Sequence, residues 1–444
     1  VEAGNTAARA GRQTANGTTG GTAASAAAKA PPQRIALGNA ATVAQPIARP
    51  IAVPQADADL RTRPILLNPP ALPPRPAPVA PVGGTPPKRT RSAQVREYVR
   101  ALNPLQVLCW QVAAITVLLT VRQPWPVLAA ASLGAAVLLA LTTVRVGGRW
   151  LYQLTGLAAA FFTRQRRRDL PTTGGTPAAT LGLISALLPG STVRTVETSQ
   201  GLAMAISHQG GLTAQLKPPA LTPELLGALP MPAALLPAAT REHEFGVHLV
   251  LHAGLRPDTP RRLWVAVHAA RTVDTPVDAE LTLALRNAMR RVRRALDRAG
   301  VAAQPLAEEQ ALSAIAGLAH ITGGRTEVRE DWRFWRTGPV SQASFQLTGW
   351  GGLTDTQVRG LVGTLLTGVP GVATTVALGA RTGRKGDPRG SATLRLAATT
   401  EATVATAARI VTDRLTPAGV RLNRLDGAQL SGVAASLPIG VFSS

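Results

Sequence analysis

Cysteine occurs once in 444 residues, at Cys109. No intrachain disulfide and no thiolate metal cluster can form, in keeping with a reducing compartment for the bulk of the chain. Aromatic residues make up 3%, so any soluble core has to be built mainly from Leu, Val and Ala. A domain of about 250 residues still buries enough area that way. Lysine is also scarce, at four of the 47 basic residues. That bias, with abundant Ala, Gly and Pro, points to arginine-favouring codons of a GC-rich genome. It weakens the nucleic-acid reading that a net charge of +23 and a pI near 11.7 invite, and no nucleic-acid partner is expected.

Catalytic signatures are missing as well. HExxH, CxxC, GxSxG and GxxxxGK[ST] do not occur, and the Asp-x-Asp at Asp57-Ala58-Asp59 stands in the Ala/Pro-rich tail, not in the α+β region where an Asp pair would hold a metal and a nucleotide sugar. His248 and His252 have the i, i+4 spacing of a zinc pair on a helix. They alternate with Val247, Leu249 and Val250, however, and in a strand that spacing separates them by about 13 Å. Glu308-Glu309 and Glu330-Asp331 read as solvated or capping pairs. Trp332, Phe334, Trp335 and Trp350 read as packing residues, and Arg381, Arg384, Lys385 and Arg389 as a basic surface hairpin loop. No catalytic, cofactor-binding or metal residue is assigned, and the chain is expected not to be an enzyme.

What is present is a pair of uncharged apolar runs, Leu105 to Val121 and Trp125 to Val144, separated by Arg122, Gln123 and Pro124. With 17 and 20 residues, each can cross a hydrocarbon core of about 30 Å. So short a connection forces the helices antiparallel and puts both flanks on one side. Lys88, Arg89, Arg91, Arg96 and Arg100 precede the hairpin, and Arg145, Arg149, Arg164, Arg166, Arg167 and Arg168 follow it. The positive-inside rule makes both flanks cytoplasmic, which gives an inner-membrane protein with two spans and both termini in the cytoplasm. Trp110 and Trp125 suit interfacial rings, Trp110 equally a helix contact. Ala131, Gly134, Ala135 and Ala136 allow close helix approach in the second span.

Four regions follow: a disordered Ala/Pro/Gly-rich cytoplasmic tail over 1–90, the transmembrane helical hairpin over 105–144, a basic juxtamembrane segment and linker over 145–177, and a cytoplasmic α+β domain over 178–444. In the third, Arg149 to Phe162 reads as an amphipathic or continuing helix. Arg164, Arg166, Arg167 and Arg168 after it would meet lipid headgroups. In the fourth, alternation over 193–197, 202–206 and 212–216, with turns at Gln200-Gly201 and Gln209-Gly210-Gly211, predicts an antiparallel meander. Strands at 246–253 and 263–269 follow.

Leu281, Leu285, Met289, Val292 and Leu296 predict a long helix over 276–300 with an arginine-crowded outer face. The order strand, long helix, short strand, short helix then recurs. Ala299-Gly300-Val301 with Leu306 corresponds to Ala418-Gly419-Val420 with Leu425. The expected fold is a two-helix transmembrane hairpin plus a cytoplasmic α+β domain with a mixed or antiparallel sheet, helices on one face and an internal duplication.

The hairpin followed by Arg164 to Arg168, the Ser344-Phe345-Gln346-Leu347-Thr348-Gly349-Trp350 strand, the Ala299-Gly300-Val301 element and the run Arg424-Leu425-Asp426-Gly427-Ala428-Gln429 leading to Leu437-Pro438-Ile439-Gly440 resemble, in that order, the EccE family of the actinobacterial type VII (ESX) secretion membrane complex. The resemblance covers residue 98 onward; the long Pro-rich tail departs from the family's shorter amino ends. It implies a non-catalytic structural subunit of the inner-membrane core complex, with EccB, EccC (the ATPase) and EccD type subunits as partners and protein export as the process served. The rival expectation is a membrane-anchored cell-envelope enzyme such as a glycosyltransferase.

Overall fold

The computed structural model describes residues 104–146, 149–238, 243–256, 258–321, 327–367, 369–382 and 388–443. The tail read over 1–90, the basic flank before the hairpin, and Arg384 and Lys385 of the basic loop lie outside the described residues.

Helices α1 (Pro104–Thr120) and α2 (Trp125–Thr143) pack against each other in antiparallel fashion. Pro126 sits in the first turn of α2, where its missing N–H would be unpaired anyway. Gln106 Nε2 donates to Thr142 O (3.1 Å) and Trp110 Nε1 to Thr142 Oγ1 (2.9 Å), tying the start of one helix to the end of the other. Trp110 is therefore a helix contact. Among the described residues α2 alone is long and apolar enough to cross a membrane, and α1 is apolar but shorter. Only 11% of the α2 window is buried, unlike the core helix of a soluble domain. A two-stranded ribbon, β1 (Arg145–Val146) and β2 (Arg149–Trp150), then leads into α3 (Leu151–Thr163).

The rest is organised by one antiparallel sheet of 13 strands. Its strands are β3 (Arg167–Asp169), β4 (Thr192–Thr198), β5 (Gly201–His208), β6 (Gly211–Lys217), β7 (Glu244–Ala253), β8 (Arg262–Ala270), β9 (Gln304–Pro305), β10 (Glu327–Glu330), β11 (Trp335–Thr337), β12 (Val340–Thr348), β13 (Ala373–Thr382), β14 (Pro388–Ala398) and β15 (Arg421–Arg424). The main path runs β3-β10-β11-β12-β14-β13-β7-β8-β6-β5-β4, with β15 on β12 and β9 on β6. Two six-stranded sets, β4 to β9 and β10 to β15, thus meet edge to edge through β7 and β13 with the same internal order. The sheet reaches back to Arg167, ahead of the boundary expected at residue 178.

Helices cover both faces. α5 (Pro223–Ala228), α6 (Pro232–Leu235), α7 (Asp278–Arg298), α9 (Asp355–Leu366) and α10 (Glu401–Leu415) lie on the first, and α4 (Gly175–Leu187), α8 (Glu308–Ala319) and α11 (Gln429–Ala435) on the second. This corrects the expectation of helices on one face. Along β7, Phe245, Val247, Leu249 and Leu251 join the first core while Val250 joins the second. A strand buried on both sides has no need to alternate, and the near-continuous apolar run Val247 to Leu251 is its mark.

The second face is the more polar one. The chain after α11 runs across it and seats Phe442 against His248 and His268, with ring centroids 5.5 and 6.0 Å apart. A Cβ at Gly246 or Gly379 would fall 2.5 or 2.7 Å from that ring, so both strands need glycine there.

Candidate functional site

The part of the molecule that joins the apolar hairpin to the sheet is built from residues far apart in sequence. α3 turns Phe161 inward, 3% exposed, and its ring meets Trp332 edge-on at 5.1 Å. Beneath them Gly427 has φ +70, and a Cβ there would lie 2.7 Å from Trp332 and 3.2 Å from Leu157. Just past α3, Arg164 Nη2 donates to Glu330 Oε1 (2.6 Å) and to Gly427 O (2.7 Å). Glu330 Oε1 also accepts from Leu430 N (2.8 Å) in the first turn of α11, where a carboxylate suits the helix dipole. One buried carboxylate therefore links α3, β10 and α11. Burial pushes the Glu330 carboxyl upward, against the pull of the Leu430 N–H and Arg164.

The other arginines of this run divide. Arg168 Nη1 donates to Ala186 O (2.9 Å), Arg167 pairs with Glu327 (3.1 Å), and Arg166 lies over the rings of Phe161 and Phe162 at 5.1 and 5.6 Å. Glu330 caps a helix as expected of a capping residue but is buried, and Asp331 pairs with Arg329 and Arg336. Trp335 is buried, and its Nε1 donates to Thr337 Oγ1. His248 and His252 are on β7 as a strand pair should be. Glu308 and Glu309 fall in the first turn of α8, and Arg381 and Arg389 are register partners on β13 and β14. Among the described residues no group of three His, Cys, Asp or Glu is placed to hold a metal ion. The sequence singled out Trp332, the Arg149 to Phe162 helix, Arg164 and the run that holds Gly427, but not that they meet, since Phe161 and Arg164 stand 171 and 168 residues before Trp332 and Gly427 stands 95 after it.

Loss of Arg164 leaves Glu330 buried without its cation. We expect Arg164→Ala to destabilise the sheet domain by about 2 kcal/mol, less than a fully buried pair because the arginine is partly exposed. Hydrogen exchange at Leu430 to Ala435 should rise with it. Unchanged exchange there would show that the pair does not hold α11.

The family model described as "Putative type VII ESX secretion system translocon, EccE" matches residues 259–347. Over that stretch, 89 of its 444 residues, the chain is similar to the EccE family. The matched stretch runs from just before β8 through α7, β9, α8, β10 and β11 into β12, and so takes in Glu330 and Trp332. That description is of a secretion-system translocon component. No curated protein matches the chain.

Proposed function

We propose that this chain is an EccE-family member and a non-catalytic structural subunit of the type VII secretion inner-membrane core complex. In this reading it supports assembly and export beside EccB, EccC and EccD type subunits. The family match carries the reading. The hairpin supports it: α1 and α2 expose apolar side chains such as Leu118, Leu119 and Leu133, 71, 74 and 68% accessible, which only lipid or other helices would cover. Both helices span, with residues 1–90 and 145–444 cytoplasmic. α1 reaches across by drawing on its flanks, as short spans do. Gly134 and Ala136 are exposed on opposite flanks of the α2 line through Ala131, Ala135 and Leu138 that faces α1, and nothing lies near the place a Gly134 Cβ would take, so another membrane helix can approach closely there. Lipid contact narrows to exposed Arg166 and Phe162, with Arg167 beside them in an exposed pair with Glu327, because Arg164 and Arg168 are partly buried on the chain's own groups.

Extraction of native membranes in a mild detergent should recover the chain in a large assembly containing a membrane ATPase; migration alone would sink the reading. For the topology, a Cys109→Ser chain carrying Gln123→Cys should react with an impermeant maleimide from outside the inner membrane. One carrying Ser199→Cys should react only after permeabilisation, and the reverse pattern would exclude a cytoplasmic domain.

A further inference from the structure

Helices α7 and α10 hold the same place in the two halves of the sheet. Each follows the strand that flanks a central one, lies on the first face, and buries an apolar stripe: Leu281, Leu285 and Val292 in one, Val404, Val411 and Leu415 in the other. Their outer faces differ. Over its whole length α7 carries Arg286, Arg290, Arg291, Arg293, Arg294 and Arg298 against Asp278, Glu280 and Asp297, the first two acids confined to its opening turn, whereas α10 sets Arg409 and Arg414 against Glu401 and Asp413. The second helix shows that this position in the fold needs no arginine. Arginine-favouring codons would act on both helices alike.

Helix electrostatics does not account for the difference either. The dipole favours cations in the last turn, which covers Arg298. Arg286 and Arg290 stand two to three turns earlier, and like charges at i, i+4 are unfavourable. Among the described ion pairs only Arg293 has an acidic partner, Asp297 at 3.6 Å; Arg286, Arg290, Arg291, Arg294 and Arg298 are exposed. Arg286, Arg290, Arg294 and Arg298 form one row about 18 Å long. At its start Arg286, Arg290 and Arg293 border a small cleft with the β4–β5 turn, Thr198 to Gln200.

We infer that this face of α7 docks an acidic segment of a partner protein. Guanidinium forks in a row match carboxylates, which they hold in bidentate fashion. A membrane is the poorer match for two reasons. The apolar side of α7 is used up in the core, where an interfacial helix needs it free. The face also lies over β6 and β8, six to seven strand steps or roughly 30 Å from β10, and on the opposite side of the sheet from α11, with which the membrane-proximal α3 shares Glu330. The inference goes beyond membership of a secretion complex and does not depend on it.

The test uses the full chain in a non-ionic detergent and a fluorescent peptide of alternating Asp and Glu, sixteen residues long, followed by anisotropy. The variant R286Q/R290Q/R294Q/R298Q should bind about tenfold more weakly, while R389Q/R409Q/R414Q/R421Q, with the same loss of charge at exposed sites elsewhere, should change affinity less than about twofold. Both variants should melt with the parent, and the single reversal Arg290→Glu should weaken binding on its own. Equal weakening in the two quadruple variants would reduce the effect to overall charge and overturn the proposal. So would tighter binding of short-chain phosphatidylglycerol than of the peptide, lost in the first variant only, since that would make α7 a lipid face.

Discussion

Arg395→Ala is expected to lower the stability of the sheet domain by about 3–5 kcal/mol, because it strips a charged donor from acceptors that nothing else can reach. Arg395 projects from β14 into the second core and is 1% exposed. Its Nη2 donates to Leu318 O (2.7 Å) and its Nη1 to Gln342 Oε1 (2.8 Å), while Gln342 Nε2 donates to Ala319 O (3.3 Å) and Thr337 Oγ1 (3.1 Å). Leu318 and Ala319 are the last residues of α8, whose final carbonyls have no partner within the helix. Among the described ion pairs none involves Arg395, so the negative end of the α8 dipole supplies the compensation a carboxylate would otherwise give. Burial pulls the guanidinium down to about 9, still cationic at neutral pH. The melting temperature should fall by about 10 °C or more. Arg409→Ala on the exposed side of α10 should leave it within about 2 °C. A loss below about 1 kcal/mol for Arg395→Ala would mean that α8 is held by its apolar contacts alone.

Nothing near Arg395 in the sequence announces this role. It stands in β14 between apolar neighbours Leu394 and Leu396, and its acceptors are 53 and 77 residues away. Where the sequence was legible, a local rule decided the outcome. The β4 to β6 meander was marked by Gly201 and Gly211, whose φ values of 124 and 141 other residues rarely adopt. α7 was marked by an apolar period sustained from Leu281 to Leu296, about four turns. The doubled element order was visible because Ala-Gly-Val ends a helix in both halves, with Gly300 and Gly419 at φ 74 and 71.

Two of the elements that escaped show why. β13, Ala373 to Thr382, is buried on both sides and carries no alternation to betray it. α4 begins at Gly175-Thr176-Pro177, which reads as a linker, yet proline is tolerated in a first helical turn. The α3 junction was illegible for a different reason: an ion pair spanning 166 residues leaves no periodic trace.

Acid should destabilise the chain well before its carboxylates titrate. His248 and His268 are buried on the second face and lowered by that burial to about 4 and about 3, the latter also by neighbouring His208. His252 falls to about 3, first through burial and then through His320, Arg395 and Arg262. The hydroxyls of Thr213 and Thr375 bond the Nδ1 atoms of His268 and His252 at 2.9 Å. All three rings are held neutral in the folded chain, whereas in the unfolded chain they protonate near pH 6.5. Between those values the unfolded state binds more protons, so stability rises with pH. It is complete above about pH 6.5 and is lost as pH falls, down to about 4 for His248 and about 3 for His252 and His268.

At pH 5 the two deeply buried histidines should together contribute a loss of about 4 kcal/mol relative to pH 7.5, with His252 adding up to about 2. Glu330 acts in the opposite sense, its raised carboxyl favouring the folded state on the acid side, but one carboxyl does not offset three imidazoles. Urea unfolding at pH 7.5, 6 and 5 measures the slope, and His248→Leu should reduce it by about one proton whatever it does to stability at pH 7.5. Protonation of His248 or His268 also places charge beneath the Phe442 ring. The segment Gly440 to Ser443 should therefore gain hydrogen exchange before the sheet itself opens. Constant stability from pH 7.5 to 5 would show that these rings reach water, and so that the second face is not closed by the chain that crosses it.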